Sequence, residues 1–181
     1  MSDTPNIPVP NFIDISRDAA LAAVTEARAH ELLTIPETAK MLKKGPTWWA
    51  PVTIERADRG VTKSGNMKVS IMIRFRPSPA GNEGRTHWIN IYNKPKEGEV
   101  YSSQFLRNLT SLLYACGKFP NEGGLNGGYL SMCFPERGAV NVQSPLIGRS
   151  LQMEMTYEIP AEGSEYNKPS LWFQQGRVDN S

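Results

Sequence analysis

Apolar and polar residues change their repeat along the chain. Between residues 16 and 33, Ala20, Leu21, Val24, Ala27 and Leu32 return at helical spacing in an alanine-rich stretch. Ser16 stands where an N-cap is needed and Asp18 falls in the first turn, so a helix is predicted from Ser16 to about Leu33. The first fifteen residues hold Pro5, Pro8 and Pro10 without a period, which predicts an arm that is flexible or laid on the surface. Pro36 interrupts the helix, a short helical piece is expected around Glu37 to Lys43, and Gly45-Pro46 punctuates the approach to the next region.

From Trp49 the repeat becomes two. Val52 and Ile54 alternate with Thr53 and Glu55 in a first strand, and Lys63-Ser64-Gly65-Asn66 supplies a turn. Beyond it Met67, Val69, Ile71, Ile73 and Phe75 alternate with Lys68, Ser70, Met72, Arg74 and Arg76, giving one apolar and one cationic face. Pro77, Pro79 and Gly81-Asn82 form a loop, and a third strand sets Ile89 and Ile91 against Trp88, Asn90 and Tyr92.

Phe105, Leu109, Leu112, Leu113 and Cys116 then trace the stripe of a helix that starts near Ser102 or Ser103 and stops at Gly117. Residues 120 to 145 are rich in Gly, Asn and Pro and read as a long loop carrying an extra hairpin. Leu151, Met153, Met155 and Tyr157 resume the strand period, and Leu171-Trp172-Phe173 closes the series. Three strands, a helix and two strands, preceded by a helical extension, predict a mainly β fold with helices. The order is that of the five-stranded OB-fold, a Greek-key barrel with its helix between strands three and four. The expected division is an N-terminal arm and helical extension at 1–47, the barrel domain at 48–178 with a Gly-rich insertion at about 119–145, and a tail at 179–181.

The chain has 181 residues, enough for one domain with a core that needs no disulfides, and Cys116 and Cys133 are its only cysteines. The N-terminus lacks the apolar run of a signal peptide and no stretch approaches the roughly 20 apolar residues of a membrane span, so the expected place is the cytoplasm, with no membrane partner. The net charge of +2 conceals an asymmetry: residues 1–50 carry −1, residues 51–118 carry +6 and residues 119–181 carry −3. A basic middle block flanked by acidic ones suits an anionic ligand.

If the aliphatic residues of strands two and three point inward, Lys68, Arg74, Trp88, Asn90 and Tyr92 share the outer face. Positive charge neutralises phosphates, and exposed aromatic faces stack on unpaired bases at roughly 1–3 kcal/mol per base. The expected single-stranded DNA site is therefore Arg56, Lys63, Lys68, Arg74, Arg76, Trp88, Tyr92 and Lys94, with Trp48 and Trp49 as additional stacking residues and Arg59 crowding the first hairpin. The alternative is that Trp88 and Tyr92 are buried beneath the N-terminal helix and the cations only protect a strand edge. A barrel with exposed aromatics could also serve as a protein-interaction module without nucleic acid, and an outward strand face could make a homodimer.

Enzymatic motifs are lacking. His30 and His87 have no ligands at metal spacing, the two cysteines are too few for a zinc site, and Gly123 to Gly128 lacks the Lys-Ser/Thr and the following helix of a phosphate cradle. Glu154 and Glu158, four apart on one strand face, are the only pair that suggests a metal-dependent nuclease. No enzyme activity, cofactor or metal is expected.

Several short runs resemble a family of bacteriophage single-stranded DNA-binding proteins: Thr62-Lys63-Ser64-Gly65-Asn66 opening a strong strand, Trp88-Ile89-Asn90-Ile91-Tyr92-Asn93, and Ala115-Cys116-Gly117-Lys118 at a helix end. Leu146-Ile147-Gly148-Arg149 and Glu165-Tyr166-Asn167-Lys168 precede strands four and five in the same order. The resemblance spans roughly residues 49 to 177. It implies an OB-like barrel that binds single strands with little sequence preference and serves phage replication or recombination in the host cytoplasm, with phage or host replication and recombination proteins as further partners. The N-terminal helical segment is additional, and Arg177-Val178-Asp179-Asn180-Ser181 departs from the acidic, hydrophobic-tipped tail of bacterial single-strand binders.

Overall fold

The computed structural model describes residues 7–31, 42–77, 83–139, 143–160 and 170–178, with the backbone alone for 25–31, 42–48, 156–160 and 170–178. The described residues are mainly β, with three helices. In chain order the elements are α1 (Arg17–Glu31), β1 (Leu42–Val61), β2 (Met67–Phe75), β3 (Thr86–Tyr92), α2 (Ser103–Ala115), α3 (Gly127–Cys133), β4 (Ser150–Pro160) and β5 (Ser170–Val178). The strands form an antiparallel sheet in the order β3-β2-β1-β4-β5.

β1 explains why the sheet curls. Its first part pairs with β4 from Leu42 to Thr53, its second part pairs with β2 from Val52 to Val61, and the two ladders overlap only around Val52 and Thr53. A register shift between Ile54 and Arg56 follows that overlap. An extra residue on one strand bends it and increases its twist, so β1 turns from one ladder into the other. Where β4 leaves, the loop before it covers the exposed edge of β1: the Ile54 and Arg59 N–H groups donate to the carbonyls of Arg149 and Pro135, each at 2.9 Å. An antiparallel sheet curled in this way is compatible with an OB-like barrel.

The period-two pattern sets the face. Met67, Val69, Ile71, Ile73 and Phe75 of β2 are buried, as are Ile89 and Ile91 of β3 and Leu151, Met153 and Met155 of β4. A one-residue slip would expose every one of them, at roughly 1.5–3 kcal/mol for each large apolar side chain, so the register is strongly specified. α2 supplies Phe105, Leu109, Leu112 and Leu113 to the same core and packs against α1, β5 and β3. Ser102 caps α2, its Oγ accepting from the Phe105 N–H at 3.3 Å, and Gly117 follows the helix at φ +68°.

Four expectations change. β1 begins at Leu42, so the boundary drawn at residue 47 falls inside a strand, and the short helix expected around Glu37 to Lys43 lies mostly outside the described residues. Gly45-Pro46 sits within β1, where the ladder to β4 shifts between Lys44 and Thr47; proline has no N–H to give, so it makes an irregularity rather than an end. The N-terminal segment is part of the main core: Phe12 and Ile15 are buried, and Ile15 exchanges backbone hydrogen bonds of 2.8 and 2.7 Å with Leu125. Finally, the Gly-rich stretch contains α3 instead of a hairpin, with Leu125, Leu130, Cys133 and Phe134 buried in the same cluster. The Gly and Asn content that reads as loop is used for close approach and capping. A Cβ on Gly124 would stand 2.3 Å from the Ile15 carbonyl oxygen.

Candidate nucleic-acid interface

The registers of β1, β2 and β3 fix which outward residues are neighbours. Gly60, Lys68 and Tyr92 form one cross-strand row; Asp58, Ser70 and Asn90 the next; Arg56, Met72 and Trp88 the third. Arg74 follows, opposite Thr53 on β1 and Thr86 on β3. The bulge after Ile54 lets Glu55 reach the same face.

Arg56, Lys68, Arg74, Trp88 and Tyr92 are thus brought onto one surface. Tyr92 is 43 % exposed, Trp88 is half-buried, and Arg56 and Arg74 are exposed. Lys94 continues beyond β3 with its Nζ 5.8 Å from the centre of the Tyr92 ring. Lys63 is exposed at the tip of the β1–β2 turn, whose shape comes from Thr62: its Oγ1 accepts from the Asn66 N–H at 3.1 Å while Gly65 takes φ +85°. Arg76 is half-buried past the end of β2, away from the Lys68 row. Trp49 is half-buried on β1 opposite Glu154 of β4, so it stands apart from the β2–β3 rows. The Trp48 side chain lies outside the described residues.

Arg74 and Arg59 are held by named partners. The Arg74 guanidinium donates through Nε and Nη2 to the Glu55 carboxylate and through Nη1 to the Gly84 carbonyl at 2.8 Å. That hydrogen bond holds the Glu55 carboxyl below its usual range and raises the Arg74 guanidinium. Arg59 is a stronger departure. It is 7 % exposed and donates to the carbonyls of Pro10 and Phe134 and to Asn11 Oδ1, at 3.3, 2.8 and 3.4 Å, with Phe12 against its guanidinium. Its role is to clasp the N-terminal segment, which the hairpin position could not reveal.

The loop before β4 contributes a cation that periodicity did not single out. Arg137 places its guanidinium 5.4 Å from the Trp88 ring centre and 3.7 Å from Asp58 Oδ2, with its side chain 56 % exposed. Burial pushes the Asp58 carboxyl up, against the attraction of Arg137, Lys68 and Arg56, which places that carboxylate among three cations. Ser70 beside it is 1 % exposed and donates to Asn90 Oδ1 at 2.6 Å. The sequence signal for Arg137 was present only in hindsight: one of four basic residues in an acidic block, two residues from a proline.

A helix does follow the Gly-rich run, against expectation. Its first amides are filled by the protein itself, because Asn126 Oδ1 accepts from Gly128 and Tyr129 and Asp14 Oδ1 accepts from Gly127. Glu154 and Glu158 share β4, though the Glu158 side chain lies outside the described residues, and no group of three metal-ligating side chains occurs among those described. No described helix is long and apolar enough to cross a membrane. Compared with known proteins, the chain matches no family model and no curated sequence.

Proposed function

We propose that this protein binds single-stranded DNA, largely independently of sequence, on the outer face of β1, β2 and β3, and that it supports phage DNA replication or recombination without catalysing a reaction. The observation that carries the reading is the cross-strand arrangement of Arg56 and Trp88, and of Lys68 and Tyr92, on one continuous surface. Alternating cations and aromatic rings meet the two needs of an unpaired strand, phosphate neutralisation and base stacking. In this reading the strand order is that of a five-stranded OB-type barrel, with α2 as the helix between strands three and four, and strands two and three are where such barrels hold oligonucleotides. The short runs that resemble phage single-strand binders point the same way.

Arg56, Lys63, Lys68, Arg74, Arg76 and Lys94 take the phosphates in this proposal, Trp88 and Tyr92 the bases. Arg137 joins them as a cation beside the Trp88 ring. The test uses the protein's tryptophans as probe: titration with oligothymidine and with a matching duplex at two salt concentrations. Quenching by the single strand that weakens with salt, with little response to duplex, is expected. Replacing Trp88 and Tyr92 by Ala should cost roughly 1–3 kcal/mol per stacked base in a protein that remains folded. Unchanged affinity in that folded double variant overturns the assignment.

A further inference from the structure

Among the described residues β3 pairs with β2 alone, and its other edge faces a groove of about 630 Å³ lined also by the first half of α2. Which backbone groups point into it follows from two hydrogen bonds. The Asn93 N–H donates to the Met67 carbonyl and the Phe75 N–H to the Arg85 carbonyl, both at 2.9 Å. Bonded and non-bonded pairs alternate along an antiparallel ladder, so Ile91, Ile89 and His87 exchange bonds with β2. Trp88, Asn90 and Tyr92 turn their N–H and C=O groups the other way. Lys94, next in that alternation, donates its N–H to Ser102 Oγ at 3.5 Å, which shows that the outward row looks towards the start of α2.

The far wall is polar as well. Gln104 and Asn108, four apart on α2, line the groove, and no hydrogen bond of either side chain occurs among the described residues. The groove's end is held open by buried Asn93, which donates to the Val100 carbonyl at 2.9 Å and accepts from the Ser102 N–H at 2.8 Å. Lys94 and Lys96 stand at this end. Glu99 also lines the groove, but its carboxylate accepts from the Lys96 N–H at 3.1 Å within its own loop, and the two lysines outnumber it.

We infer that this groove binds an extended acidic peptide segment of a partner protein, which adds as a strand to β3. An open strand edge offers donors and acceptors at every second residue, the repeat of an extended peptide and not of a nucleic acid backbone. A strand added to β3 would leave its other backbone edge unsatisfied, and Gln104 and Asn108, which line the same groove, carry carboxamides able to donate to and accept from that edge. The lysine pair sets the charge of the occupant. The groove shares Trp88, Tyr92 and Lys94 with the proposed nucleic-acid site, but the inference uses different groups of it, the outward backbone of β3 and the side chains of α2, with Lys96 beside Lys94.

The test measures amide hydrogen exchange and affinity with a capped hexapeptide alternating Glu and Val, a counterpart with Lys for Glu, and oligothymidine. The Glu peptide should protect the amides of Trp88, Asn90 and Tyr92. Its affinity should fall about tenfold in the Gln104→Ala/Asn108→Ala variant, which removes two hydrogen bonds, and in Lys96→Glu. Oligothymidine affinity should stay unchanged in the Gln104/Asn108 variant. The inference is overturned if the Glu peptide leaves the three amides unprotected, or if the Lys peptide binds equally well. It is equally overturned if oligothymidine alone protects them, which would assign the groove to nucleic acid, or if protection rises with protein concentration alone, which would assign it to a second copy.

Discussion

The Arg137 guanidinium lies over the Trp88 ring at 5.4 Å while also facing Asp58 on β1. In the proposed site, a cation held against the Trp88 ring would meet the phosphate beside a base stacked there. Arg137→Ala should therefore weaken oligothymidine binding several-fold and make the salt dependence shallower by about 0.7 in the logarithmic slope, the loss of one phosphate contact on a single strand. Arg137→Lys should retain the slope but lose the planar stacking on Trp88. A slope unchanged in Arg137→Ala would confine this residue to its contacts with Trp88 and Asp58.

In the proposed site, Glu55 and Asp58 would both act against an anionic ligand. Glu55 occupies the Arg74 guanidinium, and both groups are solvent-accessible, so breaking the pair should leave stability nearly untouched. Glu55→Gln removes one negative charge and releases Arg74, so oligothymidine should bind more tightly and with a salt slope steeper by about 0.7. Asp58 among its cations predicts the same direction for Asp58→Asn. Weaker binding in Glu55→Gln would mean that the carboxylate positions Arg74 for the strand.

How far the sequence foretold this site depends on which physical rule each residue obeys. Strand period alone sets Lys68, Arg74, Trp88 and Tyr92 opposite the buried aliphatic residues, because side chains on one strand alternate without regard to the rest of the fold. Arg59 obeys the local pattern too, yet tertiary carbonyls from residues 10 and 134 remove it from the surface. Arg137 is the converse. Its place over Trp88 is created by a loop that closes the edge of β1, a long-range pairing that no short-range pattern encodes. The Gly and Asn residues of the 120–145 stretch read as loop because the same residue types serve turns, helix caps and close backbone approach.

Buried Cys116 and half-buried Tyr129 predict an alkaline weakness. Burial pushes the Cys116 thiol up to about 12 from 9.0 and the Tyr129 hydroxyl, which donates to the Lys118 carbonyl, up to about 12 from 10.0. In the unfolded chain these groups lose their protons near their ordinary values of 9.0 and 10.0, whereas the folded chain retains them, so the folded state binds more protons from there up to about 12. Stability is then fully present below about pH 9 and declines as pH rises towards 12. Urea midpoints measured from pH 8 to 11 should fall, and Cys116→Ala should flatten part of that fall. The same burial makes Cys116 slow to react with a thiol reagent at neutral pH until the protein unfolds.

The N-terminal segment is held from two sides, and that makes a final prediction. On one side the Ile15 backbone pairs with Leu125, so close that a Cβ on Gly124 would lie 2.3 Å from the Ile15 oxygen and 3.0 Å from the Arg17 nitrogen. On the other side Arg59 binds the Pro10 carbonyl and Asn11. Backbone atoms cannot swing away as a side-chain tip can, so Gly124→Ala should cost about 1–3 kcal/mol through overpacking. Gly123→Ala serves as the comparison, because its Cβ would meet nothing within 4 Å and its cost comes from φ +73° alone, about 1–2 kcal/mol. Arg59→Met removes the other hold and leaves the buried Phe134 carbonyl without its guanidinium. Once Gly124→Ala has lifted the segment, Arg59 has lost its contacts with Pro10 and Asn11, so the double variant should lose less than the sum of the two single losses in urea unfolding. Strict additivity would show that the two holds act on independent parts of the fold.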